Sequence, residues 1–433
     1  MRITGAELPD GRVRDVRTDE GRIAEIEDSL HSLPDEETVD ADGLTLLPGA
    51  IDAHVHFRQP GHGHKETWAR GSRSAAAGGV TTVVDQPNTS PPTVDGAAFD
   101  EKAEFAENAA VNYGINGGVN DEWVPETLLA RPVFALGEVF LADSTGEMGI
   151  DEGLFEDALA AAADAGIPVT VHAEDADRFD ESAFGTDAGG TGRNADADLW
   201  SQYRTAEAEI AAVEAACEAA GEAGVEIHVA HTSTPEAADH AAEAGMTTEV
   251  SPHHLLLSRD DLDELGTFGR MNPPLRSEAR REALYERVAD GTVDLIATDH
   301  APHTTEEKEA GLWDAPSGVP GVETMLPLLL AEVRDGGLTL ERVRDLVAAN
   351  PAERFGLAEK GRVEVGYDAD LTLVDLDDPE PIRADALHTK CDWTPFEGRE
   401  AVFPELTIVD GETVYDGRAG DRFTVGVGTN VRT

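Results

Sequence analysis

Residues 48–357 alternate short β-rich runs with Ala/Glu-rich stretches of helical period, and this alternation limits the folds open to the chain. Eight candidate strands can be read: LLPGAIDAHVHF, TTVVDQPN, VNYGINGGV, VFALGEVFL, IPVTVHAE, EIHVAHTS, TTEVSPHH and VDLIATDH. Most are followed by a helical stretch such as EDALAAAADAG or AEAEIAAVEAACEAAGEAG. Strands that alternate with helices pair in parallel through helical crossovers. Eight such units in roughly 300 residues predict an α/β fold of the (β/α)8 TIM-barrel type, with its chemistry at the C-terminal strand ends. A doubly wound open sheet would usually begin with a glycine-rich phosphate loop, and the sequence has none. Residues 1–47 and 358–433 read instead as short strands between turn signals (PDG, DEG, ADG; LTIVDGETVYDG). Both chain ends are therefore expected to form one small β-sandwich-like domain flanking the barrel.

Strand one closes on His54-Val55-His56-Phe57-Arg58. Residues i and i+2 of a strand share a face, so His54, His56 and Arg58 are expected to point the same way. Strand two ends at Asn88, strand four carries Glu138, strand five His172, strand six His231, strand seven His253 and His254, and strand eight Asp299. Histidine and carboxylate gathered at one end of a barrel make a metal site, and these donors suit Zn, Mn, Fe or Co. The predicted ligands are His54, His56, Glu138, His172, His231 and Asp299. His228 differs in parity from His231 and is expected to be structural. His300, next to Asp299, should point away. His62 and His64 belong to a loop, as solvated or lid residues, and the His253–His254 pair is open between supporting the ligands and packing.

Glu138 interrupts the apolar run VFALGEVFL. A bare inward carboxylate is costly unless paired or metal-bound, which favours ligation over an exposed edge position.

Acidic residues number 87 against 33 basic ones, for a formal charge of −54, and only five residues are lysine. The acids are spread along the chain, so the excess describes a whole surface adapted to its solvent, in the style of a salt-in extreme halophile. It also argues against nucleic-acid binding, which requires a basic stripe. No apolar stretch reaches the ~18–20 residues of a membrane span. The N-terminus lacks a signal-peptide core. Cys217 and Cys391 stand far apart in no metal-ligand spacing. A soluble cytoplasmic protein is expected.

The stretches DAHVHFRQPG (Asp52–Gly61) and ATDHAPHTTEEK (Ala297–Lys308) resemble the two signature regions of dihydroorotases, and MNPPLR, IHVAHTST and SPHHLLL resemble internal segments of that family. The resemblance runs from about residue 45 to TPFEG (Thr394–Gly398). It implies reversible, metal-dependent closure of N-carbamoyl-L-aspartate to L-dihydroorotate, a step of pyrimidine biosynthesis, with one or two divalent ions, zinc foremost. Asp299 would be metal ligand and general base then acid. Arg58 would grip the substrate carboxylate with Asn88 and His303, while Asn272 and the backbone near Ser317 and Gly318 would read the ring amides. Arg58 stands where allantoinases typically carry Asn, which sets aside an allantoinase or hydantoinase type. A non-catalytic scaffold for aspartate transcarbamoylase is the other alternative, and such an association or a homo-oligomer is a possible assembly. In much of this family strand four supplies a carboxylated lysine bridging two metals. Glu138 falls at that place, roughly 3–4 Å shorter in reach at ~1.5 Å per bond. Either strand and metals shift together, or Glu138 holds fewer metals. Whether Asp177–Trp200 is a lid is open.

Overall fold

The computed structural model describes residues 1–141 and 148–433. Eight parallel strands form a closed ring: β1 (Ala50–Val55), β2 (Val80–Asp85), β3 (Asn112–Ile115), β4 (Leu136–Phe140), β5 (Val169–His172), β6 (Ile227–Val229), β7 (Thr247–Val250) and β8 (Leu295–Ile296). Ladders join β1 to β2 to β3, and β4 through to β8. Parallel bridges close the two gaps, Gly117 with Leu136 and Val55 with His300. At the second seam the His56 N–H donates to the His300 carbonyl at 2.8 Å.

The strands are short, and nearly every residue in them is buried, as expected of parallel strands covered on both faces. The helix Ala206–Ala223 shows how the outer layer is specified. The Thr205 hydroxyl accepts from the Ala208 N–H, Glu207 and Glu209 occupy the first turn, and Gly224 ends the helix in a left-handed conformation. Its buried stripe, Ala208, Ala212, Val213, Ala216, Cys217 and Ala220, keeps the helical spacing and faces the barrel. Among the described residues no helix is long and apolar enough to cross a membrane.

Both chain ends build a nine-stranded sheet. Thr45–Pro48, from the N-terminal side, pairs antiparallel with Leu371–Val374, from the C-terminal side. Ile3, Val16, Ile23, Leu46, Leu371, Leu373, Leu406 and Ile408 form its separate core. The apolar run expected as strand one is thus split between this sheet and β1. Gly49 is the junction, where a Cβ would lie 2.1 Å from a Thr81 methyl.

Candidate metal and substrate site

Glu138 is the hub of a buried cluster drawn from five strand ends. Its Oε1 lies 2.6 Å from His231 Nε2 and 3.1 Å from His172 Nδ1, and its Oε2 lies 3.3 Å from His54 Nε2. Asp299 Oδ1 lies 3.0 Å from His56 Nε2 and 3.7 Å from His54 Nε2. The carboxylate therefore spans His54 of β1 on one side and the β5 and β6 histidines on the other. Gly137 makes room for this. Its φ is 145°, and a Cβ there would meet Thr170 Oγ1 at 1.9 Å. Three non-glycine residues adopt left-handed backbone here, Arg58 (φ 65°), His231 (φ 33°) and Asp299 (φ 47°). Each costs of order 1 kcal/mol or more, a strain that collects at functional sites.

Each of three imidazoles is aimed by a second group. His54 Nδ1 meets Glu249 Oε1 at 2.6 Å, His56 Nδ1 meets Asn88 Oδ1 at 2.7 Å, and His172 Nε2 meets Glu174 Oε2 at 3.1 Å. Arg204 clamps Glu174. His228 is structural as expected: it bonds Glu249 Oε2 at 3.1 Å and Thr247 Oγ1 at 2.9 Å, fixing the carboxylate that fixes His54. The Glu138 N–H donates to Gln86 Oε1 at 2.9 Å. Carboxylates behind ligand histidines set their tautomer and raise their basicity. Sequence reading passed over Glu249, Glu174 and Gln86. The signals were present: Glu174 shares its parity with His172, and Glu249 is the sole carboxylate in its strand run.

The donor set fits a divalent cation. Ligand atoms of one tetrahedral ion at 2.0–2.2 Å stand roughly 3.4 Å apart, and the pairs above bracket that separation. Ligand atoms of His54, His56 and Asp299, and of His54, Glu138 and His231, gather within 4.8 Å of one another. His54 Nε2 and His231 Nδ1 are buried without a hydrogen bond among the described residues. Burial alone would push the Glu138 carboxyl up, yet the charges of His54 and His231 and bonds from His172 and His231 hold it well below the usual range. Burial draws histidines down, but Glu138 and Glu249 raise His54 well above its ordinary value, and Glu138 and Glu174 carry His172 up to about 9. Asp299 is opposed by burial but lowered by its His56 bond and by His54. Positive charge is favoured around Glu138 and Asp299.

His253 and His254 ride on the helix Pro252–Leu256, not on β7 as expected. Burial pushes His253 down to about 4. His254 Nε2 donates to the Pro273 carbonyl at 2.9 Å and so supports the segment carrying Asn272. His300 points away from the cluster, its Nδ1 accepting from the Gly321 N–H at 3.0 Å.

A narrow cavity of about 30 Å³ opens over the cluster, lined by every predicted ligand except His54 and every predicted substrate residue except His303, together with Phe140 and Ala301. A larger open groove bordered by Glu278, Arg281, Tyr285 and Glu332 contains none of them. Asn272 Oδ1 accepts from Trp200 Nε1 and Ser317 Oγ, both at 3.1 Å. The Ser317 carbonyl accepts from His303 Nε2 at 2.8 Å. The Gly318 N–H is committed to the Arg270 carbonyl at 3.0 Å, so carbonyl lone pairs are what this backbone can offer a ring N–H. The 177–200 segment is anchored beside the cavity, with Thr186 accepting from Trp313 Nε1 at 2.9 Å and Gly192 donating to Ala310 at 3.1 Å.

A closed parallel barrel with histidines and carboxylates converging at its strand ends has the architecture of a barrel enzyme with a metal-type site. A profile of the amidohydrolase family matches residues 45–414. The chain is 62% identical to the dihydroorotase of Halobacterium salinarum, over 99% of both chains. It is 44% identical to that of Methanosarcina mazei, over 91% of this chain and 89% of that one. Among solved structures, the L-hydantoinase (dihydropyrimidinase) of Arthrobacter aurescens superposes with a TM-score of 0.92 at 28% identity, covering 99% of this chain and 98% of that one. The chain belongs to the amidohydrolase family and, within it, to the dihydroorotases.

Proposed function

We propose that this chain is a working dihydroorotase, interconverting N-carbamoyl-L-aspartate and L-dihydroorotate in pyrimidine biosynthesis. The observation that carries the reading is one cavity with a metal-type donor cluster at its floor and a buried guanidinium, Arg58, on its wall. Both substrates are cyclic or open amides bearing a carboxylate, and the planar guanidinium suits a carboxylate bidentately.

His54, His56, Glu138, His172, His231 and Asp299 would hold one or two divalent ions; zinc is the first candidate and Mn, Co or Fe would also suit these donors. Such an ion, when bound, lowers the pKa of water toward neutrality and polarises an amide carbonyl. Asp299 takes the proton from the attacking water on its carboxylate and returns it to the departing ring nitrogen. In the direction of closure the order reverses. His56 Nε2 and Asp299 Oδ1 stand 3.0 Å apart, so both can face one ion. Arg58, Asn88 and His303 orient the substrate carboxylate, and Asn272 and the Ser317–Gly318 carbonyls orient the ring amides. The surface charge of −54 supports a high-salt cytoplasm as the working medium. Association with aspartate transcarbamoylase or with further copies of the chain belongs to the same proposal.

Steady-state turnover of both substrates in molar KCl tests this, with and without added Zn or Mn and with allantoin as control. Metal-dependent interconversion of the first pair is expected. Turnover of allantoin alone, or inactivity of folded, metal-loaded protein, overturns it.

A further inference from the structure

Beside Arg58 lies a cation that the signature motifs left without a task. Lys65, three residues beyond His62 in the loop after β1, places Nζ 3.0 Å from His303 Nδ1 and 3.1 Å from Glu307 Oε1. An ammonium only donates, so Nδ1 of His303 must accept and the ring proton must sit on Nε2. The same Nε2 donates to the Ser317 carbonyl at 2.8 Å, consistent with that tautomer. Arg58 Nη2 stands 3.2 Å from this Nε2. Both atoms then carry hydrogen, so the contact is not a bond between them. It sets two donors side by side, in side chains that are 8% and 5% exposed. The one Nε2 hydrogen is given to the Ser317 carbonyl, so His303 cannot accept from Arg58 Nη2, and that Arg58 donor is left for an anionic acceptor.

The opposite tautomer would undo it. With the proton on Nδ1, His303 Nε2 would accept from Arg58, and the two groups would satisfy each other. Glu307 holds Lys65 in place. Its Oε2 closes a capping box with Thr304 (2.9 Å to the Thr304 N–H), which leaves Oε1 for the ammonium.

We infer that Lys65 is a positioning and specificity-determining residue: it fixes the His303 proton on Nε2, where the Ser317 carbonyl takes it, so that Arg58 keeps its Nη2 hydrogens for the substrate carboxylate. This rests on the reading of the chain as a dihydroorotase and names a residue that reading did not use. Lys65 does not line the cavity over the cluster, so its removal is expected to act on binding of the carboxylate and not on the proton transfers at Asp299.

The test compares wild type, Lys65→Met, Lys65→Gln and Lys65→Arg, each metal-loaded in molar KCl, with L-dihydroorotate and N-carbamoyl-L-aspartate. Lys65→Met is expected to raise KM for both by about tenfold, with kcat falling by less than about threefold. Lys65→Arg, which restores both donor and charge, is expected to bring KM back to within about threefold of wild type. Lys65→Gln, a donor without charge, should fall between the two. An unchanged KM in Lys65→Met, or equal losses in kcat and metal content, overturns the inference. Should Lys65→Met not fold, an unchanged KM in Lys65→Gln overturns it and a raised one sustains it. Wild type inactive on both substrates would instead strike the dihydroorotase reading itself.

Discussion

Glu138 draws its importance from where its two oxygens go. One faces His54 and the other faces His172 and His231, so a single side chain joins two sets of donors. Removing it would leave positively disposed imidazoles with no counter-charge at the centre of the barrel, and an incomplete ligand set. Glu138→Ala is therefore expected to lose most bound metal and activity together, read by elemental analysis of the dialysed protein. Unchanged metal content would remove Glu138 from the site. Its carboxylate is encoded rather than formed on a lysine by CO2. Metal uptake by wild type should accordingly be the same with and without added bicarbonate, measured by titration in degassed buffer. Glu249 acts one step further out, holding His54 Nδ1 at 2.6 Å and accepting from the His231 N–H at 3.1 Å. Such outer partners typically contribute ~10–100-fold in metal affinity. Glu249→Gln should weaken metal binding by that order in a competition with a chelator, while the fold, followed by circular dichroism, persists.

At the scale of elements, the seam between β1 and β8 is fastened by Asp52, which is fully buried. Its Oδ1 accepts from the Thr298 N–H at 2.9 Å and the His54 N–H at 3.2 Å, and its Oδ2 meets the Thr298 hydroxyl at 2.5 Å. Burial pushes this carboxyl up to about 7, against the lowering by its Thr298 and His54 bonds. A folded-state value above the unfolded ~3.9 means that the folded protein binds the proton more tightly. The associated stability is full below ~4 and is lost as pH rises through about 7. Asp52→Asn keeps the acceptor, stays neutral, and should flatten the decline in stability between about pH 4 and 7 in chemical denaturation. Asp52→Ala strands two buried N–H groups, at about 1–3 kcal/mol each. Much of this architecture was legible because strand parity and strand-end position are local properties: His54 and His56 share a face by spacing alone. The split of TLLPGAIDA between two sheets was not legible. Thr45–Pro48 and Ala50–Val55 are both buried throughout, so hydrophobicity carries no break between them. His253 and His254 were assigned to a strand because the short apolar run SPHHLLL does not reveal its period. Lys65 was invisible as a partner, since its importance lies in a contact 238 residues away along the chain.

Over the whole molecule, a charge of −54 sets two long-range forces against the local site. The first is self-repulsion. At ~10 mM salt the Debye length is ~30 Å, so acids across the entire surface feel one another, whereas at ~1 M it is ~3 Å and only neighbours do. The second acts on the substrate, which is itself anionic and must approach this surface to reach Arg58. The proposed contact with Arg58 would form in a buried cavity, where salt screens weakly, while the repulsion on approach is exposed and is screened strongly. Raising KCl should then weaken the opposing force more than the attracting one. In protein kept folded and metal-loaded throughout, kcat/KM for N-carbamoyl-L-aspartate is expected to rise from 0.1 M to 2 M KCl, mainly through KM. The folded fraction must be followed in parallel, because the thermal midpoint should climb by on the order of 10 °C over the same range as self-repulsion is screened. A fall in kcat/KM at constant folded fraction would mean that the attraction to Arg58 reaches beyond the cavity and is itself what salt removes.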